Sequence, residues 1–175
     1  YREGGEYPIF ARRPAANAFD KPGDKPGDEQ VLLDGNENAK GCDYWDVRKI
    51  SHSPDHRLVA FTVDDKGSEF YTLSVREAAT GKEVESIQHT YGEFVWGEDS
   101  ASIYWVARDE NARPVAVFCR ALGLGTDALV YREADPGFFM SVGGSRLNDW
   151  IMISIGDHET SDYPPAPANE PTAKP

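Results

Sequence analysis

A segment that recurs along the chain constrains its fold more than any other feature. The copies begin at residues 51, 95 and 142, and each combines a strand, an acidic or glycine-containing turn and an apolar strand. A period of about 40–50 residues with four short strands per unit is typical of the blades of a β-propeller. A blade cannot cover both of its own faces, so each one needs neighbours.

Short alternating segments bounded by turn residues predict strands throughout the chain. No helical periodicity extends beyond a turn or two, and residues 36–43 are expected to be a short helix or irregular. We therefore predict an all-β partial propeller with about two complete four-stranded antiparallel blades, a strand pair before them and half a blade after them. The predicted strands are 6–12, 29–34, 46–50, 58–63, 70–76, 83–87, 93–96, 102–107, 115–120, 128–131, 138–142 and 150–155.

Two segments are predicted to lie outside this pattern. Residues 19–28 contain Lys-Pro-Gly-Asp twice, and because proline presets a turn and glycine allows positive φ, we expect a mobile loop there. Residues 163–175 contain five prolines, which cannot pair as a central strand. The prediction is a partial propeller domain over 1–162, followed by a proline-rich tail or linker over 163–175 that cuts the third blade short.

Charge and composition exclude several classes of partner. The net charge of -12 argues against nucleic acid and anionic membranes, which attract clusters of Lys and Arg. No apolar run approaches the roughly 20 residues that cross a bilayer. An acidic surface can concentrate cationic peptides, although ordinary solubility charge is the simpler explanation. Cys42 and Cys119 suit two reduced thiols in a reducing compartment, with a single bridge left open.

No complete catalytic site is evident in the sequence. The nearest approaches to a G-x-S-x-G nucleophile motif surround Ser141 and Ser154, but both lack the first glycine and lie on predicted strands. The glycine-rich motifs that bind nucleotide phosphates do not occur. We therefore predict that the chain alone has no catalytic residue, no cofactor and no activity of its own.

Two histidine-containing segments of the sequence are candidate metal sites. His52 and His56 stand four residues apart, but Pro54 between them predicts a turn, which removes the helical geometry of such a pair. Asp157, His158 and Glu159 could bind a cation or transfer protons, yet three adjacent residues do not easily converge on one ion. The favoured interpretation of this second segment is a polar hairpin loop, and no metal site is predicted.

Five segments in order carry a family resemblance: DGNE at 34–37, SPD at 53–55, DENARP at 109–114, DPGFF at 135–139 and DHETS at 157–161. They resemble the N-terminal propeller of the oligopeptidase B branch of the prolyl oligopeptidase family of serine peptidases, from about residue 1 to residue 162. That resemblance implies a seven-bladed propeller that admits peptides and excludes folded proteins. It also implies an α/β-hydrolase domain with a Ser-Asp-His triad, outside this chain, that cleaves after Arg and Lys.

By that resemblance the chain is an internal fragment of a serine oligopeptidase, located in the cytoplasm or else the periplasm. Its partners would be the C-terminal α/β-hydrolase domain of the same parent chain and basic peptide substrates. The alternative is a stand-alone propeller-like binding module without enzymatic activity, because one fold hosts many functions. Unpaired strand edges also lead us to expect self-association of the fragment.

Strand alternation predicts which loops share a face. Loops that join the second to the third strand of a blade should lie beside the connections that enter the next blade. This places 64–67, 109–113, 135–137 and 157–161 together, opposite 53–55 and 80–82. We hypothesise that the first face docks the catalytic domain, and that its candidate interdomain contacts are Arg113, Asp157, His158 and Glu159. The alternative is that Arg113 and Asp157 brace their own hairpins.

Overall fold

The structure, a computed structural model, describes residues 3–14, 29–145, 149–157, 159–163 and 165–167. The predicted mobile loop at 19–28 lies outside these residues. Within them the chain is almost entirely β-structure, with one short helical turn. The elements are β1 (Ile9–Arg12), β2 (Gln30–Asp34), α1 (Gly35–Asn38), β3 (Asp46–His52), β4 (Leu58–Asp64), β5 (Tyr71–Glu77), β6 (Glu83–Trp96), β7 (Ser102–Arg108), β8 (Pro114–Ala121), β9 (Asp127–Arg132), β10 (Phe139–Gly144), β11 (Trp150–Gly156), β12 (Ser161–Asp162) and β13 (Pro165–Pro167).

The strands form successive antiparallel blades, which confirms the predicted all-β partial propeller. The first blade consists of β3, β4, β5 and the beginning of β6, and the second consists of the end of β6, β7, β8 and β9. The third blade begins with β10 and β11. Before the first blade, β1 and β2 form a separate antiparallel pair.

The strand β6 corrects one prediction. The sequence predicts two strands, 83–87 and 93–96, whereas β-structure continues from Glu83 to Trp96: residues 83–90 pair with β5, and after a bend residues 90–96 pair with β7. Because the chain reverses its direction at this bend, the loops that follow β4 and β7 lie at the same end of the strands. The chain bends at His89 and Gly92, whose φ angles are 60° and 94°. The bend keeps its polar groups paired, since Thr62 Oγ1 donates to the Gly92 carbonyl and Thr90 Oγ1 donates to the Tyr71 carbonyl.

Apolar residues at alternate strand positions build the core between blades. In β11, for example, Ile151, Ile153 and Ile155 are buried and the residues between them are not fully buried. The largest cluster joins the second blade to the third, a second cluster joins the first blade to the second, and a third packs β2 against the first blade. The first of these clusters includes Tyr104, Val106, Val117, Met140 and Ile153. The second includes Leu73, Phe94, Ile103 and Trp105. The third consists of Leu33, Phe61 and Val63.

Part of the proline-rich segment is paired. The short strand β13 lies antiparallel to the first residues of β11, while β12 pairs with the last residues of that strand. Proline is tolerated there because β13 is an edge strand, where missing N–H donors cost little. The third strand of this blade is therefore present as two short pieces.

The described residues also show the short helix, the state of the two cysteines and the character of the helices. The passage expected to be helical or irregular contains α1, whose N-terminal amides at Asn36 and Glu37 donate to the Asp34 carboxylate. Cys42 and Cys119 are both free thiols, the first half-buried and the second buried, so they do not bridge each other. In the described ranges no helix has the length and apolar character to cross a membrane.

Candidate functional site

The loops between the second and third strands of each blade lie at the same end of the propeller segment. We call this surface the loop face and define it by residues 65–70, 109–113, 133–138, 157 and 159–160. Two contacts tie its parts together across blades. Arg108 Nη1 lies 3.8 Å from Glu69 Oε2, and Arg113 Nη1 donates to the Pro136 carbonyl at 2.7 Å. The turn at 53–57 lies at the opposite ends of the strands, on what we call the turn face.

Arg113 links two loops of the loop face. Its guanidinium reaches out of the β7–β8 loop to Pro136 in the connection that enters the third blade. The loop itself is shaped by Asp109, whose carboxylate accepts the backbone N–H groups of Asn111 and Arg113, both at 2.9 Å. An aspartate that caps its own turn in this way explains why the DENARP sequence forms a tight loop. Arg113 remains exposed, so the remaining guanidinium donors face solvent.

Asp157 stabilises its own hairpin. Its Oδ1 accepts hydrogen bonds from the backbone N–H of Glu159 at 2.8 Å and from the backbone N–H and the hydroxyl of Thr160 at 2.6 and 3.0 Å. These bonds favour the ionised carboxylate, and the Glu159 N–H is the main cause of the lowered pKa of Asp157. Glu159 is exposed, and His158 lies outside the described residues. In the described part of the chain, neither Arg113 nor Asp157 forms an ion pair.

Next to the loop face, two arginines stack on the ring of Tyr91, an arrangement that we call the Arg-Tyr-Arg stack. The guanidinium carbons of Arg48 and Arg108 lie 4.6 and 4.7 Å from the centre of its ring. Arg48 Nε also lies 3.3 Å from Glu93 Oε1. The Arg108 side chain is only 3% exposed and stacks on Phe70 as well. Cation–π contacts in such partly desolvated places are worth about 0.5–2 kcal/mol each.

The stack was not predicted, because its members come from three strands of two blades. Arg48 lies on β3, Tyr91 on β6 and Arg108 on β7, so no local spacing connects them. A shallow groove of about 310 Å³ adjoins it and reaches the third blade. Ser141 and Ser154 line this groove as register partners on β10 and β11. They lie within strands, as predicted, and not at the strand-to-helix turn that exposes a hydrolase nucleophile.

The turn face brings His52 and His56 together. The predicted turn at Pro54 forms and replaces the helical geometry of a pair four residues apart. It folds the two imidazoles onto each other, and their Nδ1 atoms lie 3.0 Å apart. Among the described residues, no group of three or more His, Cys, Asp or Glu side chains is arranged to hold a metal ion.

Comparison with known proteins identifies relatives over nearly the whole chain. Residues 1–174 match the family model described as the prolyl oligopeptidase N-terminal β-propeller domain. Dipeptidyl aminopeptidase BI of Pseudoxanthomonas mexicana is 33% identical, over 96% of this chain and 25% of that protein. Protease 2 of Moraxella lacunata is 28% identical, over 90% of this chain and 23% of that protein.

Solved structures show the same relationship. Oligopeptidase B from Leishmania major superimposes with a TM-score of 0.87 at 28% identity, covering 96% of this chain and 23% of that one. Oligopeptidase B from Trypanosoma brucei, in a closed form with covalently bound antipain, gives a TM-score of 0.82 at 27% identity over the same shares. The chain thus spans about a quarter of the length of the curated relatives it matches.

Proposed function

The chain belongs to the prolyl oligopeptidase family, as a segment of its N-terminal β-propeller domain, and from this we propose that it gates and size-filters the substrates of a serine oligopeptidase. The catalytic Ser-Asp-His domain of that enzyme lies outside this chain. The substrates that we propose are peptides cleaved after Arg or Lys. The observation that carries the proposal is the superposition on oligopeptidase B over 96% of the chain.

The charge of the chain supports basic peptides as substrates. A net charge of -12 on 175 residues creates a negative field, which raises the local concentration of cationic peptides and speeds their encounter with the enzyme. An effect of this kind weakens with salt, because exposed charges are screened beyond about 10 Å at 0.1 M ionic strength. The rate of cleavage of a peptide rich in Arg should therefore fall with salt more steeply than that of a neutral peptide.

We further propose that the loop face is where the catalytic domain docks. The contacts between its loops fix their relative positions, and the exposed guanidinium of Arg113 has donors left for an acceptor from outside. Asp157 and Glu159 present carboxylates on the same face. Interdomain pairs at such a surface are partly desolvated, so loss of one partner costs more than at an open surface.

The test is Arg113→Ala in the full-length protein, with Arg57→Ala on the turn face as a matched control. We expect Arg113→Ala to lower kcat/KM for a short basic peptide several-fold, or to increase the cleavage of long unfolded chains through looser closure, with the propeller still folded. Arg57→Ala should change neither. A variant that loses only propeller stability, with kinetics like those of Arg57→Ala, would show that Arg113 merely braces its own loops and that the docking proposal is wrong.

A second candidate activity is the removal of dipeptides from free N-termini. It is favoured by the 33% identity to dipeptidyl aminopeptidase BI, which exceeds the 28% identity to Protease 2. A matched pair of peptides with the same Arg-containing sequence, one with a free and one with a blocked N-terminus, separates the two candidates. Cleavage of the blocked peptide supports the endopeptidase, whereas cleavage restricted to the free peptide, two residues at a time, supports the dipeptidyl activity.

A further inference from the structure

We propose that His52 and His56 form a binding site for a divalent transition-metal ion on the turn face. The two Nδ1 atoms lie 3.0 Å apart. Two nitrogen ligands in adjacent positions of a square or octahedral ion, with metal–nitrogen bonds of about 2.0–2.1 Å, are also separated by about 3 Å. The spacing of the two nitrogens therefore already suits one shared ion.

The contact between the two rings is a bent hydrogen bond in the absence of an ion. The ring centres are 4.3 Å apart, and the rings are inclined by 61°. In a straight N–H···N bond of the same length, the ring centres would lie about 5 Å apart, since such bonds prefer angles above about 150°. Both Nδ1 directions are therefore inclined to the line between the nitrogens, and because both side chains are exposed, small ring rotations would aim the two lone pairs at one ion.

A third donor lies beside the pair. The Ser53 carbonyl oxygen is 3.0 Å from His52 Nδ1, although it also accepts the His56 N–H at 2.9 Å. When both rings carry their proton on Nε2, three lone-pair donors face one another, and a cation removes that repulsion. The Asp55 carboxylate lies in the same turn and accepts a hydrogen bond from the Ser53 hydroxyl at 2.6 Å.

The turn holds the histidines in place before any ion binds. His56 has a φ of 63°, a conformation that costs energy and is kept by the surrounding bonds. Ser53 Oγ accepts the Leu58 N–H, and the Arg12 guanidinium donates to the His56 carbonyl at 2.5 Å. From the second blade, Ser100 Oγ accepts the Asp55 N–H at 3.0 Å. Contacts from three elements thus pre-organise the pair, which reduces the ordering cost of binding.

Imidazole nitrogens select borderline ions, and among these affinity rises from Ni²⁺ to Cu²⁺ and falls again at Zn²⁺. We therefore expect Cu²⁺ to bind most tightly, with water in the remaining positions.

The experiment is a Cu²⁺ titration of the full-length protein, followed by electron paramagnetic resonance. The test variants are His52→Gln and His56→Asn, since asparagine tolerates positive φ and keeps the turn folded. His89→Gln, an exposed histidine of β6, is the matched control. Circular dichroism of every variant confirms folding.

We expect nitrogen hyperfine structure from two imidazoles, at least about tenfold weaker binding in each test variant, and no change in the control. Binding of equal strength in wild type and both test variants, or a Cu²⁺ spectrum without two imidazole nitrogens, would overturn the proposal. Failure of the wild type to bind Cu²⁺ more tightly than a variant that carries both His52→Gln and His56→Asn would do the same.

Discussion

Replacement of Gly92 by alanine should destabilise the junction between the first two blades more than any other glycine-to-alanine change in its neighbourhood. Gly92 has a φ of 94°, which alanine adopts only at a cost of about 1–3 kcal/mol. An added Cβ would also lie 2.5 Å from Arg48 Cδ and 3.0 Å from Tyr71 Cδ2. Tyr71 cannot move easily, because it is buried and its hydroxyl donates to Asp46.

The clash adds a second cost to the backbone strain. Arg48 would have to leave Tyr91 and Glu93, and overpacking of this kind costs about 1–3 kcal/mol. The total expected loss is therefore about 2–6 kcal/mol. Gly81→Ala separates the cost of backbone strain from the cost of the clash. Gly81 has a φ of 73°, but no atom lies within 4 Å of the position that a Cβ would take. Alanine at this position therefore causes backbone strain and no steric clash.

Hydrogen exchange measured by mass spectrometry resolves the effect locally in the full-length protein. Amides of β5 and β6 should exchange faster in Gly92→Ala than in Gly81→Ala by about 5- to 150-fold, which corresponds to the 1–3 kcal/mol of the clash. Gly143→Ala, with no positive φ and open space around the new methyl, should leave exchange nearly unchanged. Equal exchange in the Gly92 and Gly81 variants would refute the argument that packing against Arg48 and Tyr71 fixes the bend.

Three further outcomes are expected. Burial raises the pKa of the Cys119 thiol from 9.0 to about 11, so the folded state holds the proton more tightly, and stability should fall as pH rises from about 9 to 11. Cys119→Ala should make that slope shallower in pH-dependent unfolding, mainly between pH 9 and 10, where the tyrosines with raised pKa values contribute little. An unchanged slope would refute the assignment. The isolated chain should hydrolyse no peptide, and Ser141→Ala or Ser154→Ala should leave any trace activity of a preparation unchanged; activity abolished by either change would reveal a nucleophile. The isolated chain should also self-associate in sedimentation experiments through its open strand edges, which a strictly monomeric species over a concentration series would contradict.

The repeat and the alternation of apolar residues were sufficient to predict most of the fold. β4, β7 and β11 follow an acidic or glycine-containing turn in each copy, and each was predicted within two residues of its observed ends. The continuity of β6 was missed because residues 88–92 contain polar side chains and a glycine, which usually indicate a loop. The hydroxyl of Thr62 satisfies the Gly92 carbonyl within the bend, and the hydroxyl of Thr90 ties the bend to Tyr71 of β5.

The site was less predictable than the fold, because its contacts join distant parts of the chain. Alternation of strand direction assigns the loops to faces only when 83–87 and 93–96 count as two strands, because a single straight strand would place the loops after β4 and β7 at opposite ends. The Arg-Tyr-Arg stack depends on residues from two blades, and only the packing of those blades brings them together. The contact between His52 and His56 is local, but the sequence does not reveal it, because its geometry depends on the left-handed conformation of His56.

The bent segment β6 joins the first two blades differently from the way the second and third blades are joined. Residues 83–90 of β6 pair with β5 and residues 90–96 pair with β7, so one backbone segment belongs to both ladders and Thr90 pairs on both sides. Among the described residues, no ladder joins the second blade to the third, and these blades are connected by residues 133–138, by side-chain packing and by the bond from Arg113 to Pro136. The first junction therefore includes backbone pairing at Thr90, whereas the second depends on side chains and one loop and should have the greater mechanical compliance.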